Sequence, residues 1–511
     1  MRRRQFLGLV GAAAGTVALA GVAGCDTPGQ TGELLASEIP LPEPFRVPLP
    51  VPPVKRPVRR DATTDWYDIV QRRAEAEILP GVRTPILGYD GVFPGPTIES
   101  RRGRRTVVRH HNRTDVPTVV HLHGGHTPAD HDGWPTDLVM PLSGTHSHSH
   151  SHHPGRITQG RRDYVYPLDQ EAATLWYHDH RMDFTGPQVY RGLAGFHLVR
   201  DAVEEALPLP SGDREIPLMI ADRAFASDGS LKYPAMDPAG HTAGPMDDWI
   251  EGVLGDVILV NGAPWPELEV VGARYRFRVL NASNARRYRL TLDPPPPGGP
   301  AFVQIGSDAG LLAAPVEHGN VDIAPAERFD LIVDFSGYRP GQVVTLRNGF
   351  GAGGTGQVMR FRVTRRVADE SSVPARLAEV PPLVPPRDAP RRRFAFSRGR
   401  VGDRAGWVIN GKPFDPSRVD ATPRLGEIEI WRLSTDLHHP VHIHLSPFQV
   451  LSRNGHPPGA FDTGWKDTVD LRPAETVEVA VRFTDYRGHY LLHCHNLEHE
   501  DMAMMSTFET K

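Results

Sequence analysis

Cysteine is scarce, with two residues in a chain of 511. That excludes a disulfide-dense scaffold, an iron–sulfur cluster on four thiolates and a Cys-rich zinc site. A dominant charge is missing too. Lys and Arg number 57 against 61 Asp and Glu, a formal net charge of −4. The balance leaves no electrostatic footprint for nucleic acid or an acidic membrane surface. Few stretches carry helical periodicity. What is plentiful is glycine and proline, 50 of each, and histidine, 25 residues. The first two indicate turn-rich, all-β architecture. The length indicates three or four domains. The histidine excess poses the main question.

Residues 1–25 read as an address. Arg2, Arg3 and Arg4 precede a small-residue apolar run from Phe6 to about Ala23, too short and too rich in Gly and Ala for a good membrane-spanning helix. Arg3-Arg4-Gln5-Phe6-Leu7 resembles a twin-arginine export signal, and Val22-Ala23-Gly24-Cys25 resembles a bacterial lipobox. The expectation is an exported bacterial protein, handled by the twin-arginine machinery. It would be anchored by lipid at Cys25 on the outer face of the membrane, or released to the periplasm or medium. A generic basic signal with an incidental Cys is the plainer alternative.

Residues 26–64 are Pro-rich and read as an extended tether or a wrapping arm. From Asp65 onward short apolar runs are bounded by Gly, Pro, Asn and Asp, and Tyr275–Leu280 alternates at period two. Pro-rich breaks near 201–213 and 371–390 leave blocks of 65–200, 205–370 and 391–511, each of sandwich size. The fold class expected is all-β, with three β-sandwich domains. A weak repeat supports related modules: Val260-Asn-Gly-Ala-Pro264 matches Ile409-Asn-Gly-Lys-Pro413, and Gly91–Thr97 holds the same early place in the first block.

The histidines that carry chemistry come as His-x-His: His121/His123, His178/His180, His442/His444 and His493/His495. Residues i and i+2 of a strand share a face, so each pair aims two imidazoles at one place. Four pairs in apolar, β-like settings supply eight neutral nitrogens, enough for a cluster of copper ions. By the same parity Cys494 faces away from His493 and His495, toward a separate site. His439, His499 and Met504 are its fitting companions, since two imidazoles, a thiolate and a weak thioether bind a blue electron-transfer copper. Met502 and Met505 are the alternatives for the axial place.

HLHG, WYHDH, HPVHIH and HCHNLEHEDMAMM, in that order, resemble the four copper motifs of the multicopper oxidases, over roughly residues 65–511. The likeness is to bacterial spore-coat laccases, bilirubin oxidases, phenoxazinone synthases and aminophenol oxidases. It implies three cupredoxin-like Greek-key domains and four copper ions. His439, Cys494, His499 and Met504 would hold the type 1 copper, and His121 and His442 the type 2 copper. His123, His178, His180, His444, His493 and His495 would hold the type 3 pair. The implied reaction couples four one-electron oxidations of a small aromatic donor, phenolic, aminophenolic or bilirubin-like, to reduction of dioxygen to two waters. Cys494 would be the electron conduit, being one peptide from both His493 and His495. Glu500 and Asp132 match acidic positions that deliver protons in the spore-coat laccases, with hydrogen bonding to ligand histidines the alternative role. Asp179 points away from its flanking ligands and reads as structural.

Substrate electrons are expected at an exposed edge of His499 or His439. The glycine-rich loop 351–356 is either part of that rim or a plain connector. The His-rich run at 146–153 is either a copper-capturing loop or a solvated low-complexity insertion. Two other functions remain in view: a metallo-oxidase of cuprous, ferrous or manganous ions, and a copper-free cupredoxin scaffold. Ten methionines without a Met-rich loop speak against a dedicated cuprous oxidase, and the full ligand set speaks against the scaffold.

Overall fold

The computed structural model describes residues 29–142, 155–237 and 242–511. The signal with Cys25 and the His-rich run 146–153 lie outside the described residues. Strands dominate, and no helix among the described residues is long and apolar enough to cross a membrane.

Among the described residues six large sheets form, two in each of three consecutive stretches of chain. In the first stretch, Arg161–Tyr166, Arg105–Arg113, Thr64–Ala76 and Arg59–Arg60 form one sheet, with Thr84–Tyr89 paired onto Thr64–Ala76. The facing sheet runs Val54–Lys55, Gly95–Arg101, Ala194–Arg200, Ala173–Asp179, Val120–His123. The middle stretch folds between Glu215 and Arg366 into an eight-stranded and a five-stranded sheet, which enclose the largest apolar core. In the last stretch, one sheet contains Thr468–Leu471, His439–Ile443, Gly488–Cys494 and Met505–Thr510, in that order. Mixed parallel and antiparallel pairing gives each stretch a Greek-key sandwich. The fold is all-β, built of three cupredoxin-like domains.

The weak repeat has a backbone cause. Asp90-Gly91, Asn261-Gly262 and Asn410-Gly411 all take positive φ at both residues, between 51° and 84°. Such tight turns match strand twist and favour Asn or Asp followed by Gly. Each closes a short hairpin: Tyr89 on Val92, Val260 on Ala263, Ile409 on Lys412.

The N-terminal segment resolves as a wrapping arm. Glu33–Leu35 pairs in parallel with Val253–Gly255 of the middle domain, and Val54–Lys55 joins Gly95–Arg101 of the first. Thr31 hydrogen-bonds His438 of the third through its hydroxyl (2.8 Å). An apolar cluster seals the junction of all three domains. It joins Trp176 and Phe196, Met219 and Leu280, and Leu497 of the short helix Leu497–Asp501. The loop 351–356 is a connector, its short turn Gly353–Gly356 held by a bond from Trp265 Nε1 to Gly354 O (2.8 Å).

Candidate metal centres

Register places the four His-x-His pairs. His121 stands opposite His178 and His123 opposite Trp176, so one face of the first domain's sheet carries all these rings. In the third domain Val441 pairs with Cys494 and His442 with His493. One face therefore presents His442 and His493, the other Cys494 and His439. The two His-bearing faces meet between the first and third domains, and all eight rings are buried.

Hydrogen bonding then fixes which nitrogen is free. A carbonyl oxygen can only accept, so an imidazole nitrogen bonded to one must carry the proton. His121 Nδ1 donates to Asp132 O (2.5 Å), His178 Nδ1 to Asp179 O (2.8 Å), His442 Nδ1 to Asp467 O (2.8 Å) and His493 Nδ1 to Cys494 O (3.1 Å). His444 Nδ1 bonds the Asp132 carboxylate (2.7 Å). Their Nε2 lone pairs point inward. His121 and His442 meet Nε2 to Nε2 at 3.4 Å, His444 and His493 at 3.1 Å, and His180 and His493 at 3.4 Å. His123 is reversed: Asp467 takes its Nε2 (3.1 Å) and leaves Nδ1 free. Inside the centre, His123 Nδ1, His178 Nε2 and both nitrogens of His495 have no hydrogen-bond partner among the described residues.

Lone pairs facing one another in a dry cavity repel unless a cation lies between them. Burial also disfavours the charged form of seven of these rings. It lowers His121, His123, His442, His444 and His495 well below the usual imidazole value, His178 to about 3 and His180 to about 4. Neutral imidazoles with second nitrogens tied to carbonyls and carboxylates are the donor set a metal cluster requires. Among the triads close enough to share an ion are His121/His442/His444, His121/His123/His178 and His180/His444/His493.

The second centre lies on the opposite face of the Gly488–Cys494 strand. Cys494 Sγ is 3.4 Å from His439 Nδ1 and 3.6 Å from His499 Nδ1, and the two Nδ1 atoms are 2.9 Å apart. Here too the outer nitrogens are occupied, His439 Nε2 by the Asp436 carboxylate (3.0 Å) and His499 Nε2 by Glu251 O (3.1 Å). Burial pushes the Cys494 thiol up, so a thiolate in this place needs a positive partner. Met504 is fully buried in the same apolar cluster as Cys494, and Cys494 N donates to Met504 O (3.1 Å). Met505 pairs with His493 and packs in a different cluster with Leu491.

Comparison with known proteins agrees with this geometry. Multicopper oxidase family models match residues 71–204 and 385–511. The chain is 36% identical to a laccase of Bacillus subtilis, over 89% of this chain and 96% of that protein. It is 37% identical to a bilirubin oxidase of Albifimbria verrucaria, over 91% of this chain and 81% of that protein. The crystal structure of a multi-copper oxidase from Pediococcus acidilactici matches with a TM-score of 0.80 at 33% identity, covering 94% of this chain and 93% of that one. The chain belongs to the multicopper oxidase family.

Around the centres of this multicopper oxidase stand the expected acids. Glu500 Oε2 lies 3.2 Å from His493 Nδ1 and Oε1 3.7 Å from His180 Nδ1. Burial alone would raise its pKa, but the imidazoles of His180 and His493 hold it well below the usual carboxylate range. Asp132 bonds His444 through its carboxylate and His121 through its carbonyl. Burial pushes its pKa well up. Asp179 is structural, accepting from Val119 N, Arg181 N and Gln188 Nε2.

One expectation is overturned. Neither His439 nor His499 has an exposed edge, for both have no accessible surface. The middle domain's Ile250 and Glu251 cover His499, while third-domain side chains, Trp407 and Phe396 among them, surround His439. Glu251 O caps His499, Ile250 O accepts from Trp407 Nε1 (2.8 Å), and the Trp407 ring packs on His499 with centroids 3.9 Å apart. Period-two reading could not see a cap contributed by another domain. It also missed Trp176, stacked on His178 at 4.2 Å, and Asp467, which no repeating motif marks.

Proposed function

We propose that this chain binds four copper ions and oxidises small aromatic donors, phenolic, aminophenolic or bilirubin-like, with dioxygen as acceptor. The inward-facing Nε2 lone pairs carry this reading. His121 and His442 would hold the type 2 ion. His180, His444 and His493 would hold one type 3 ion, and His123, His178 and His495 the other. His439, Cys494, His499 and Met504 would hold the type 1 ion. When bound, copper would supply one-electron oxidation of the donor and four-electron reduction of dioxygen to two waters.

The protein's own residues do the rest. Cys494 is peptide-bonded to His493 and His495, which links the two ligand sets through covalent bonds. Reduction of dioxygen consumes protons, and Glu500 is placed to relay one, its Oε2 lying 3.2 Å from His493 Nδ1 and its Oε1 3.7 Å from His180 Nδ1. Asp132 is committed to His444 and His121. It orients them and is the further proton carrier in this reading. The laccase and bilirubin oxidase relatives support organic donors. Export of the loaded protein, with lipid attachment at Cys25, rests on residues 1–25.

A second reading, oxidation of ferrous or manganous ions, is favoured by one observation. The Asp436 carboxylate bonds His439 Nε2, and its side chain is 37% exposed. With both imidazoles covered, it is an anionic handle from solvent to the thiolate centre. The test is the visible spectrum of the copper-loaded protein together with oxygen uptake on a phenol, an aminophenol, bilirubin and ferrous and manganous salts. A fully loaded but colourless protein defeats the thiolate assignment. Uptake with metal salts alone selects the second reading.

A further inference from the structure

Among the described residues the middle domain supplies no histidine to either centre, yet one of its side chains reaches the frame of the eight-histidine cluster. Arg328 opens the strand Arg328–Asp334 and is fully buried. All five of its guanidinium N–H groups have acceptors. Nε donates to Thr174 O (2.9 Å), in the Ala173–Asp179 strand that carries His178. Nη1 donates to Ala326 O (2.8 Å) and Asp467 Oδ1 (2.7 Å), and Nη2 to Asp308 O (3.0 Å) and Asp467 Oδ2. The two bonds to Asp467 form a fork, the geometry that arginine makes and lysine does not.

Asp467 is the residue that sets the reversed histidine. Its Oδ1 lies 3.1 Å from His123 Nε2, which leaves Nδ1 toward the cluster, and its carbonyl accepts from His442 Nδ1. One guanidinium thus ties a strand of the first domain to an aspartate of the third, and that aspartate holds one ligand from each. A second layer backs it. Buried Lys466 Nζ lies 3.0 Å from Asp308 Oδ2 and 3.1 Å from Glu327 Oε1, and Asp308 Oδ1 accepts from Arg328 N (2.8 Å). Space is equally specific. Gly124, directly after His123, has φ +84°, and a Cβ there would lie 2.8 Å from both Arg328 Nη2 and Asp467 Oδ2.

We propose that Arg328 is a positioning residue of the cluster: through Asp467 it fixes the ring orientation and tautomer of the type 3 ligand His123 and the place of the type 2 ligand His442, and through His442 it governs retention of the type 2 ion. This rests on the copper reading above, and the parent protein tests that reading separately. If the parent takes up copper without thiolate absorption in the visible or a type 2 paramagnetic signal, the copper reading fails before any variant is made.

The variants are Arg328→Gln and Arg328→Lys, each loaded with copper and challenged with a graded chelator. The measurements are visible absorption, the type 2 paramagnetic signal and copper content. Removing an outer partner of metal ligands typically weakens metal affinity by about 10–100-fold. We expect Arg328→Gln to release the type 2 ion at roughly 10–100-fold lower chelator concentration, with thiolate absorption unchanged. Arg328→Lys keeps the buried charge without the fork and should fall between Gln and the parent. If Gln does not accumulate as folded protein, Lys carries the test alone, by the same selective loss. Type 2 retention within twofold of the parent in the folded variants overturns the proposal. So does parallel loss of both signals with a lowered melting point, because a merely structural interdomain bridge would produce that.

Discussion

His123 shows how much a single residue's partner decides. Its neighbours present Nε2 to the cluster, while it presents Nδ1, because Asp467 occupies the other nitrogen. The pairing of His121 with His123 was legible from spacing. The choice of nitrogen was not, since Asp467 is 344 residues away. Two substitutions test roles at this scale. Cys494→Ser removes the soft thiolate through which the peptide link to His493 and His495 would reach the type 1 ion. It should abolish the visible absorption and reduce oxygen uptake to background, while copper on the eight histidines persists by metal analysis. An active Cys494→Ser protein would mean that electrons travel elsewhere. Glu500→Gln keeps the shape but cannot exchange a proton. General acid–base groups contribute about 10²–10⁴-fold, so turnover should fall by at least about tenfold with an altered pH profile and unchanged visible absorption. Turnover equal to the parent's would exclude Glu500 from proton delivery.

At the scale of elements, the five-residue helix Leu497–Asp501 joins the domains. Its three acids face three neighbours. Glu498 accepts from Tyr233 OH (3.0 Å), Asn284 Nδ2 (2.8 Å) and Val253 N (3.1 Å) of the middle domain. Glu500 faces the cluster. Asp501 accepts from Thr185 N and Gly186 N (both 2.8 Å), at the start of the first domain's helix Thr185–Tyr190. Every residue of this LEHED segment is buried, its three acids included. Leaving two buried N–H groups unpaired costs about 1–3 kcal/mol each. Asp501→Ala should therefore lower the melting point of the apoprotein clearly, whereas an exposed pair such as Arg376–Glu379 contributes ~0–1 kcal/mol. Equal melting points for Asp501→Ala and Glu379→Ala would contradict this account. The strands themselves were legible, because alternation and Asn-Gly or Asp-Gly turns are local signals.

The whole molecule brings a pH dependence. Burial lowers imidazoles throughout, His110, His178 and His197 to about 3 and His180 and His438 to about 4, against the 6.5 of an unfolded chain. Below pH 6.5 the unfolded chain binds protons that the folded one refuses, so folded stability falls as pH drops, by up to about 1.4 kcal/mol per unit for each such ring. Buried carboxyls with raised values, such as Asp179 and Glu498 at about 7, act in the opposite sense between pH 7 and 4. The depressed imidazoles outnumber them. Melting of the copper-free protein should therefore move steadily downward from pH 6.5 toward 4. An unchanged or rising melting point over that range would refute the balance. The arm belongs to this scale too, for its few residues touch all three domains.

Local sequence determined the strand-forming runs, the tight turns, the four His-x-His pairs and the opposite facing of Cys494, because each follows from a two-residue period or a glycine requirement within a few positions. Two cysteines and 25 histidines were enough to read metal chemistry over thiol chemistry. Tertiary structure alone decided which nitrogen each ring presents, that a middle-domain segment covers His499, and that Arg328 holds Asp467. Those facts depend on groups hundreds of residues apart meeting in a dry interior, where every donor must find an acceptor, and no local period records that constraint.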